Sequence, residues 1–519
     1  MSTRLFISGE VIDFFFNNSD TELDAEELIQ KLQDDKYELW SSNFILIKSS
    51  IENTPDWAKK IIASATICNL QPNSLIKYLE KKEISYIKND EIRICNNINQ
   101  AFILTLEKGA WKKSGLNAIE LSEISELKKK EDVPLVDLIG QYSSISFEIN
   151  EAISNTISRS NFVMGEEVLK FEEEFANFCN VKHFITTGSG TDAIHLGLRA
   201  LGIKKGDGVL TVSHTFFATA ESIIMCGGIP FFIDINPKNY CISIESLEKF
   251  IQEQCFKKDD GSLIHKESNT SIKSILPVHL YGHPAEIEKL IPIAKENNLT
   301  LIGDGAQSHG SKIRINNKFR DISSLCDGTA FSFYPGKNLG AFGDGGGLAT
   351  NDSELAKKIR LLKDHGRTNK YEHTIYGWSS RLDAIQCSIL RVKLKYLEEW
   401  TIKRRKAAEK YNELLKKVDQ VICPISTDDY YHVYHLYVIR VHENKRDELI
   451  NFLRENKIFA GIHYPIPLHL QPAFENIKNN STLPNTEIIS KQVLSLPLFP
   501  EINFKQQKLV TKKIQEFLC

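Results

Sequence analysis

Apolar and polar positions follow two different rhythms along this chain, with a change near residue 130. Before it, strand-like apolar runs ("RLFISGEVIDFFF", "YELWSSNFILI") alternate with segments of helical period ("DAEELIQKLQ", "PDWAKKIIASATICNL"). That pattern predicts a small α/β domain over residues 1–130. The charged segment Lys128–Asp132 then gives way to Val133-Pro134. A helical lead-in follows, "SISFEINEAISNTISRSNFVMGEEVLKFEEEFANFC". The runs "GVLTVS", "IPFFIDI", "SILPVHLY", "TLIGD" and "GTAFSF" come next. Each is short, rich in β-branched or aromatic residues and bounded by Gly, Pro or Asp, which predicts strands. Helical stretches such as "GTDAIHLGLRALG" and "PAEIEKLIPIAKENN" lie between them. The alternation predicts an α/β fold, a mostly parallel sheet with helices on both faces, over residues 133–395. From about residue 395 a long polar helix ("LKYLEEWTIKRRKAAEKYNELLKK") leads to "HVYHLYVIRV" and "RDELINFLRENKI". This predicts a smaller α+β domain over residues 396–519.

Composition narrows the class without naming the chemistry. A chain of 519 residues exceeds what one core normally holds. With 42% hydrophobic and 25% charged residues it has the make-up of a globular protein. A formal net charge of −3 argues against a nucleic-acid partner. No apolar run is long enough to span a membrane. The start, "MSTRLFISGEVIDFFFNN", lacks a charged leader and a small-residue cleavage site. The ten cysteines are scattered with no CxxC pair, which suits free thiols better than disulfides or zinc. A cytoplasmic location is expected, and no metal.

Candidate chemistry gathers where the predicted strands end, the edge at which open parallel sheets bind ligands. In "TTGSGTDAIHLGL", Gly188 and Gly190 permit close backbone approach, and Thr191 and Asp192 open a helix. Such a turn is either an anion cradle or a simple N-cap. Asp304 ends the strand in "LTLIGDGAQSHG", where it could cap the next turn or face a cation or a protonated ring nitrogen. Phe216 in "SHTFFATA" is either a core residue or a plate for a flat ligand. Lys337 stands in "AFSFYPGKNLGAFGDGG", five residues after Ser332 and just before a glycine-rich run. It is either a solvated loop lysine or an amine made nucleophilic by apolar surroundings. A phosphate cradle, an aromatic plate, an acid for a ring nitrogen and a reactive lysine are together the parts that pyridoxal 5'-phosphate requires.

These motifs resemble the nucleotide-sugar aminotransferases of the DegT/StrS group, fold-type-I pyridoxal-phosphate enzymes. The likeness runs from about Pro134 to the C-terminus, through "VPLVDLIGQY", "GSGTDAIHLGLRALGIKKGD", "PVHLYGHPAEI", "GDGAQSHG", "FSFYPGKNLGAFGDGG", "LKDHGRTNKYEH", "SRLDAIQCSIL" and "GIHYPIPLHLQPAF". The resemblance implies that Lys337 binds the cofactor aldehyde and that Asp304 pairs with the pyridine nitrogen. It implies that Gln307 contacts the ring hydroxyl side and that Phe216 stacks on the ring. Gly190, Thr191 and Ser332 would hold the phosphate, and His463 and Tyr464 would lie near the substrate. Relatives that dehydrate sugars carry His at the lysine position, so Lys337 favours transamination. The lysine segment looks most like members that aminate C3 of dTDP-3-oxo-6-deoxyhexoses with glutamate as donor. A C4 aminotransferase, a dehydratase and a cofactor-bound regulatory scaffold are the alternatives. A homodimer with shared active sites is implied. One position departs from the family: the Asn of "G-x-N-x-R-L", which reaches the phosphate from the partner subunit, is Ser379 here.

Residues 1–130 are absent from ordinary family members and weakly resemble a PIN-like domain. The acid expected on the first strand is Ser8, with Glu10 nearby, and "NINQAF" offers no late acid. Two-metal hydrolysis needs those charges. A PIN-like shell without its metal site is the expectation, either docking a protein partner or helping assembly, or else a plain fusion module.

Overall fold

The computed structural model describes residues 132–425, 427–442, 445–477 and 482–518, together with four strands among the first 131 residues. The chain divides into two compact units, Met1–Glu131 and Asp132–Cys519. In the first unit β1 (Arg4–Ile7) pairs in parallel with β2 (Glu38–Ser41) and β3 (Ala101–Thr105). β3 pairs in parallel with β4 (Asn117–Glu120), giving the order β2-β1-β3-β4. The predicted strand runs "RLFISGEVIDFFF" and "YELWSSNFILI" contain β1 and β2. The predicted helices of this unit, Ser8 and Glu10 lie outside the described residues.

The second unit opens with α1 (Leu138–Ser144), α2 (Ser146–Arg159) and α3 (Glu166–Phe178). The expected single helical lead-in is thus broken. Ser160, Met164 and Gly165 adopt φ of 51°, 63° and 90°, a left-handed backbone that no α-helix continues through.

The central sheet uses β5 (His183–Thr187), β6 (Gly208–Val212), β7 (Ile229–Ile233), β10 (Ser271–Leu276), β11 (Thr300–Asp304), β14 (Gly328–Ser332) and β15 (Gly346–Thr350). A small annex, β8 (Cys255–Lys257) and β9 (Leu263–His265), is antiparallel to it at β10. A side ribbon, β12 (Lys312–Ile315) and β13 (Lys318–Asp321), lies off the sheet. The sheet order is β5-β15-β14-β11-β10-β6-β7, and β15 is antiparallel to both neighbours while the rest run together. β5 and β15 carry short, weakly patterned segments, "HFITT" and "GGLAT", that periodicity alone passes over.

Both faces of the sheet are covered, which is why its strands are continuously apolar rather than alternating. On one face α4 (Gly190–Ala200) packs Ala193, Leu196 and Ile194 against Ile185, Ile302 and Leu348. On the other, Phe171 and Phe175 of α3 meet Phe184, Phe331 and Phe333. Each such fully buried side chain contributes about 1.5–3 kcal/mol relative to exposure. A buried ion cluster ties the first face to the second: Glu172 accepts from Thr186 N at 2.9 Å, from Arg360 Nη1 at 2.6 Å and from Lys363 Nζ at 3.3 Å.

Helices α5 (Phe217–Met225), α6 (Ile244–Gln254), α7 (Ile287–Glu296) and α8 (Ser353–Leu362) complete the layers. Then α9 (Ala384–Leu394) and the predicted long helix, α10 (Leu397–Leu415), lead away from the sheet. The C-terminal portion is a three-stranded antiparallel sheet of β16 (Val421–Ile422), β18 (Tyr437–Val441) and β19 (Val493–Leu496), while β17 (Tyr430–Tyr431) extends the side ribbon. α11 (Arg446–Glu455) and α13 (Phe504–Leu518) pack on it through Leu449, Leu453 and Ile514, and α12 (Pro484–Ser490) precedes β19. No helix among the described residues is long and apolar enough to cross a membrane.

Candidate active site

Because β5, β6, β10, β11 and β14 all point the same way, their carboxyl ends form one edge. The residues singled out at strand ends therefore converge. Asp304 closes β11, and its backbone neighbours are fixed on both sides: it pairs with Ala330 of β14 and bridges to Val278 after β10. The carboxylate is buried, with 6% exposure. Its Oδ2 accepts from Thr219 Oγ1 at 2.7 Å and its Oδ1 from Ala306 N at 3.1 Å. Burial pushes its pKa above the ordinary carboxylate value; Thr219, Ala306 and the nearby Lys337 partly offset this. A carboxyl group placed in this way gains from a cationic partner.

Lys337 lies beyond the end of β14, on a turn in which its own N–H donates to Tyr334 O at 2.9 Å. Its Nζ has no hydrogen-bond partner among the described residues. Burial lowers its pKa from 10.5 to about 8, and Asp304 opposes that shift. The amine is thus far more often neutral near physiological pH than an exposed lysine, and a neutral amine is the nucleophilic form. Three histidines flank it electrostatically: His309, His435 and His463. Burial, and secondarily Lys337, holds His309 down to about 3 and His463 to about 4, and lowers His435 strongly. All three stay neutral, so Lys337 and Asp304 are the charged pair at this edge.

The expected cradle is built from Ser189 to Thr191 and from Ser332. Ser189 caps α4 by accepting from Asp192 N at 3.0 Å, leaving the first N–H groups of the helix pointing at the sheet edge. Glycine is required at 190: a Cβ there would stand 2.6 Å from Ser332 Cβ. Gly346 is required as well, since its Cβ would fall on the backbone of Ser189 and Gly190. Ser222 of α5 donates to Thr191 O at 3.1 Å and anchors the turn from the side. Gly190 and Gly346 thus bring the start of α4, the end of β14 and the start of β15 into close contact, with no space for a side chain.

Gln307 follows Asp304 by three residues and is buried. Its Oε1 accepts from Tyr281 N at 2.7 Å, and its Nε2 donates to Tyr464 Oη at 3.0 Å. Tyr464 faces Phe216 with ring centroids 5.8 Å apart. The neighbouring His463 pairs through Nδ1 with Ser495 Oγ at 2.8 Å, and its carbonyl accepts from the Tyr281 hydroxyl. Phe216 is 57% exposed, so it is no core residue; its ring is open to a flat partner. His463 and Tyr464 thus join the edge from the C-terminal portion.

Ser379 is the one expected residue that does not join the others within this chain. It is exposed, and its Oγ accepts from Arg381 Nη2 at 2.9 Å, while Arg381 Nη1 reaches Asp364 at 3.1 Å. Its neighbour Ser380 is the one that reaches the cradle, accepting from Gly188 N at 3.1 Å. Thr219, Tyr281 and Ser380 were given no role in the sequence, while Gly346 belongs to the glycine-rich run noted after Lys337. Thr219 carried a signal as well, a polar residue inside the apolar start of a helix, "FFATAESII".

The parts fit pyridoxal phosphate on the structure's own terms. A buried acid suits a cationic partner, a buried amine has its pKa lowered to about 8, an aromatic ring is exposed, and the turn at Gly190 packs too closely on Ser332 to admit a Cβ. Comparison with known proteins agrees. Residues 143–515 match the DegT/DnrJ/EryC1/StrS aminotransferase family. The chain is 42% identical over 389 residues to a "pleiotropic regulatory protein" of Geobacillus stearothermophilus, covering 74% of this chain and 98% of that one. It is 35% identical over 386 residues to dTDP-3-amino-3,4,6-trideoxy-alpha-D-glucose transaminase of Streptomyces venezuelae, covering 74% and 96%. Among solved structures it is similar to S. venezuelae DesV in complex with a ketimine intermediate, with TM-score 0.68, 35% identity and coverage of 75% and 98%. The chain belongs to the DegT/DnrJ/EryC1/StrS aminotransferase family, and it is a pyridoxal-phosphate-dependent sugar aminotransferase.

Proposed function

We propose that the chain moves an amino group from glutamate to C3 of a dTDP-3-oxo-6-deoxyhexose, at a site organised by Lys337 and Asp304. The observation that carries this reading is the pairing of one unpartnered amine of lowered pKa with one buried carboxylate at neighbouring strand ends. Pyridoxal phosphate, when bound, supplies the electron sink that makes the substrate α-proton acidic. Asp304, held by Thr219, would face the ring nitrogen and favour its protonated form. Lys337 would hold the cofactor at its aldehyde carbon, and its amine would carry the proton that transamination moves. Gly190, Thr191 and Ser332 would hold the phosphate, Phe216 would lie against the ring, and Gln307 with Tyr464 would lie on the hydroxyl side. His463, kept neutral, lies toward the sugar. In this reading residues 133–395 form the cofactor domain and residues 396–519 the smaller one. Two copies face each other, with the exposed Ser379 turned to the partner's cradle; residues 1–130 serve a protein partner.

The C3 assignment draws on the transaminase of S. venezuelae, named for a sugar with its amine at C3. The test is incubation with glutamate and a panel of 3-oxo and 4-oxo dTDP- and UDP-sugars, with products read by mass and NMR. Amination of 4-oxo sugars alone, or loss of water without amination, refutes C3 transfer. A second reading, a cofactor-bound regulatory scaffold, is favoured by the "regulatory" description of the G. stearothermophilus relative. Turnover on any sugar of the panel, abolished in Lys337→Ala, rules against it.

A further inference from the structure

A second lysine is buried beside the site and has no part in the reaction above. Lys393 of α9 is 2% exposed, and burial holds its pKa down to about 8. An ammonium taken out of water is costly to keep unless something specific is gained. Among the described residues its Nζ donates to one acceptor, Gly340 O, at 2.6 Å, and it sits 5.0 Å from the centroid of the Phe342 ring.

The carbonyl it grips belongs to the turn that carries Lys337. That turn is wound so tightly that a Cβ on Gly340 would fall on the Pro335 carbonyl. Ala341 N donates to Phe333 O at 2.7 Å and Phe333 N to Gly345 O at 2.7 Å, closing the turn on the strand that enters it. Outside grips come from two directions. On α9, Lys393 holds Gly340 and Gln386 Oε1 accepts from Phe342 N at 2.8 Å. From the C-terminal portion, Val433 O accepts from Asn338 Nδ2 at 3.1 Å. With Gly340 and Phe342 both tied to α9, the glycine run that gives the turn its freedom is pinned to a rigid element.

We infer that Lys393 is a positioning residue: its ammonium, carried on α9, holds the Gly340 carbonyl and thereby fixes the turn that presents Lys337 toward Asp304. This rests on the reading of Lys337 given above. The action is through backbone geometry, because burial and Asp304 are what perturb the Lys337 amine. A loosened turn leaves the amine on average away from its reacting position, and misplacement by about 1 Å costs on the order of a hundredfold in rate.

The experiment uses the full chain, stripped of cofactor and titrated with pyridoxal phosphate. Absorbance of the lysine-bound cofactor is followed from neutral to alkaline pH, and melting of the cofactor-free protein is measured beside it. Lys393→Met keeps the length and apolar stem and deletes the donor. It should raise the cofactor dissociation constant by about tenfold or more, displace the pH midpoint of the absorbance, and lower kcat while leaving KM for the sugar near its wild-type value. Lys393→Arg, which keeps a charged donor, should recover part of each change. A Lys393→Met protein with wild-type constant and midpoint overturns the inference, as does a change in melting temperature alone. If Lys393→Met fails to fold, Gln386→Ala loosens the same turn from the same helix; an unmoved midpoint in that variant also overturns it. Wild-type protein that never forms lysine-bound cofactor refutes the role of Lys337 itself, so the two failures are distinguishable.

Discussion

Gly190→Ala is the sharpest perturbation of the cradle, because it adds one methyl group and removes no bond. The new Cβ would lie 2.6 Å from Ser332 Cβ, 3.1 Å from Ser332 Cα and 3.2 Å from Ser332 Oγ. Carbon atoms in contact prefer about 3.5–4.0 Å, so the start of α4 and the end of β14 must part by about 1 Å. Neither side yields easily. Gly190 lies in the first turn of a helix whose body is buried against the sheet, and Ser332 Cα is backbone. Overpacking of this kind costs about 1–3 kcal/mol. In the cofactor-free protein the helix start can relax outward and lose part of that strain. With a phosphate bound, the N–H groups must close on it and the strain returns. The cofactor dissociation constant should therefore rise about tenfold, equivalent to 1.4 kcal/mol, with a modest drop in melting temperature of the cofactor-free form. Titration of cofactor-free protein by absorbance, with calorimetric melting alongside, measures both. If Gly190→Ala binds pyridoxal phosphate as tightly as the wild type, the cradle is not where the phosphate sits, and the argument from close packing fails.

Asp304→Asn keeps the shape and the bond from Thr219 while deleting the charge; turnover should fall by at least about a hundredfold, and an unchanged kcat would exclude a role for the carboxylate. The same variant should lower the Lys337 pKa further, since Asp304 is the group that raises it; aldehyde capture by cofactor-free protein, followed against pH, reads this as an acid shift of the midpoint. In the wild type that midpoint should lie near 8, with capture rising as pH increases through it, because the deprotonated amine reacts; a midpoint near 10.5 would mean an exposed lysine. Glu172→Ala leaves Lys363, itself 1% exposed, without its carboxylate, and breaking a buried pair costs about 3–5 kcal/mol. Denaturant unfolding should show that loss. The Glu172 pKa is held below its ordinary 4.5 by Lys363 and Arg360 against the opposing effect of burial, so its contribution is present above that value and is lost as pH falls below it; a variant as stable as the wild type at neutral pH would refute it.

The candidate site was legible in the chain as motifs at strand ends: Lys337, Asp304, Gln307 and the Gly190 turn each stand at or just past a strand, and a parallel sheet brings strand ends together. What was not legible has a common cause: it depends on atoms far apart in sequence. Ser380, not Ser379, meets the Gly188 turn across 192 positions. Thr219 reaches Asp304 across 85 positions and Tyr281 reaches the His463 carbonyl across 182. Lys393 reaches its carbonyl partner, Gly340, across 53 positions. β5 and β15, "HFITT" and "GGLAT", were not among the strands read from the sequence. The helical lead-in broke at Ser160–Gly165 because tertiary packing, not helix propensity, sets that turn.

The chain alone therefore determined the layered α/β class, the family and the cofactor chemistry, since these follow from local period and from motifs read in order. Tertiary structure decided which of the candidate side chains are buried, which are paired, and which amine has its pKa lowered. A pKa and a hydrogen bond depend on solvent exclusion and on neighbours distant in sequence, and neither is written in any local stretch of residues.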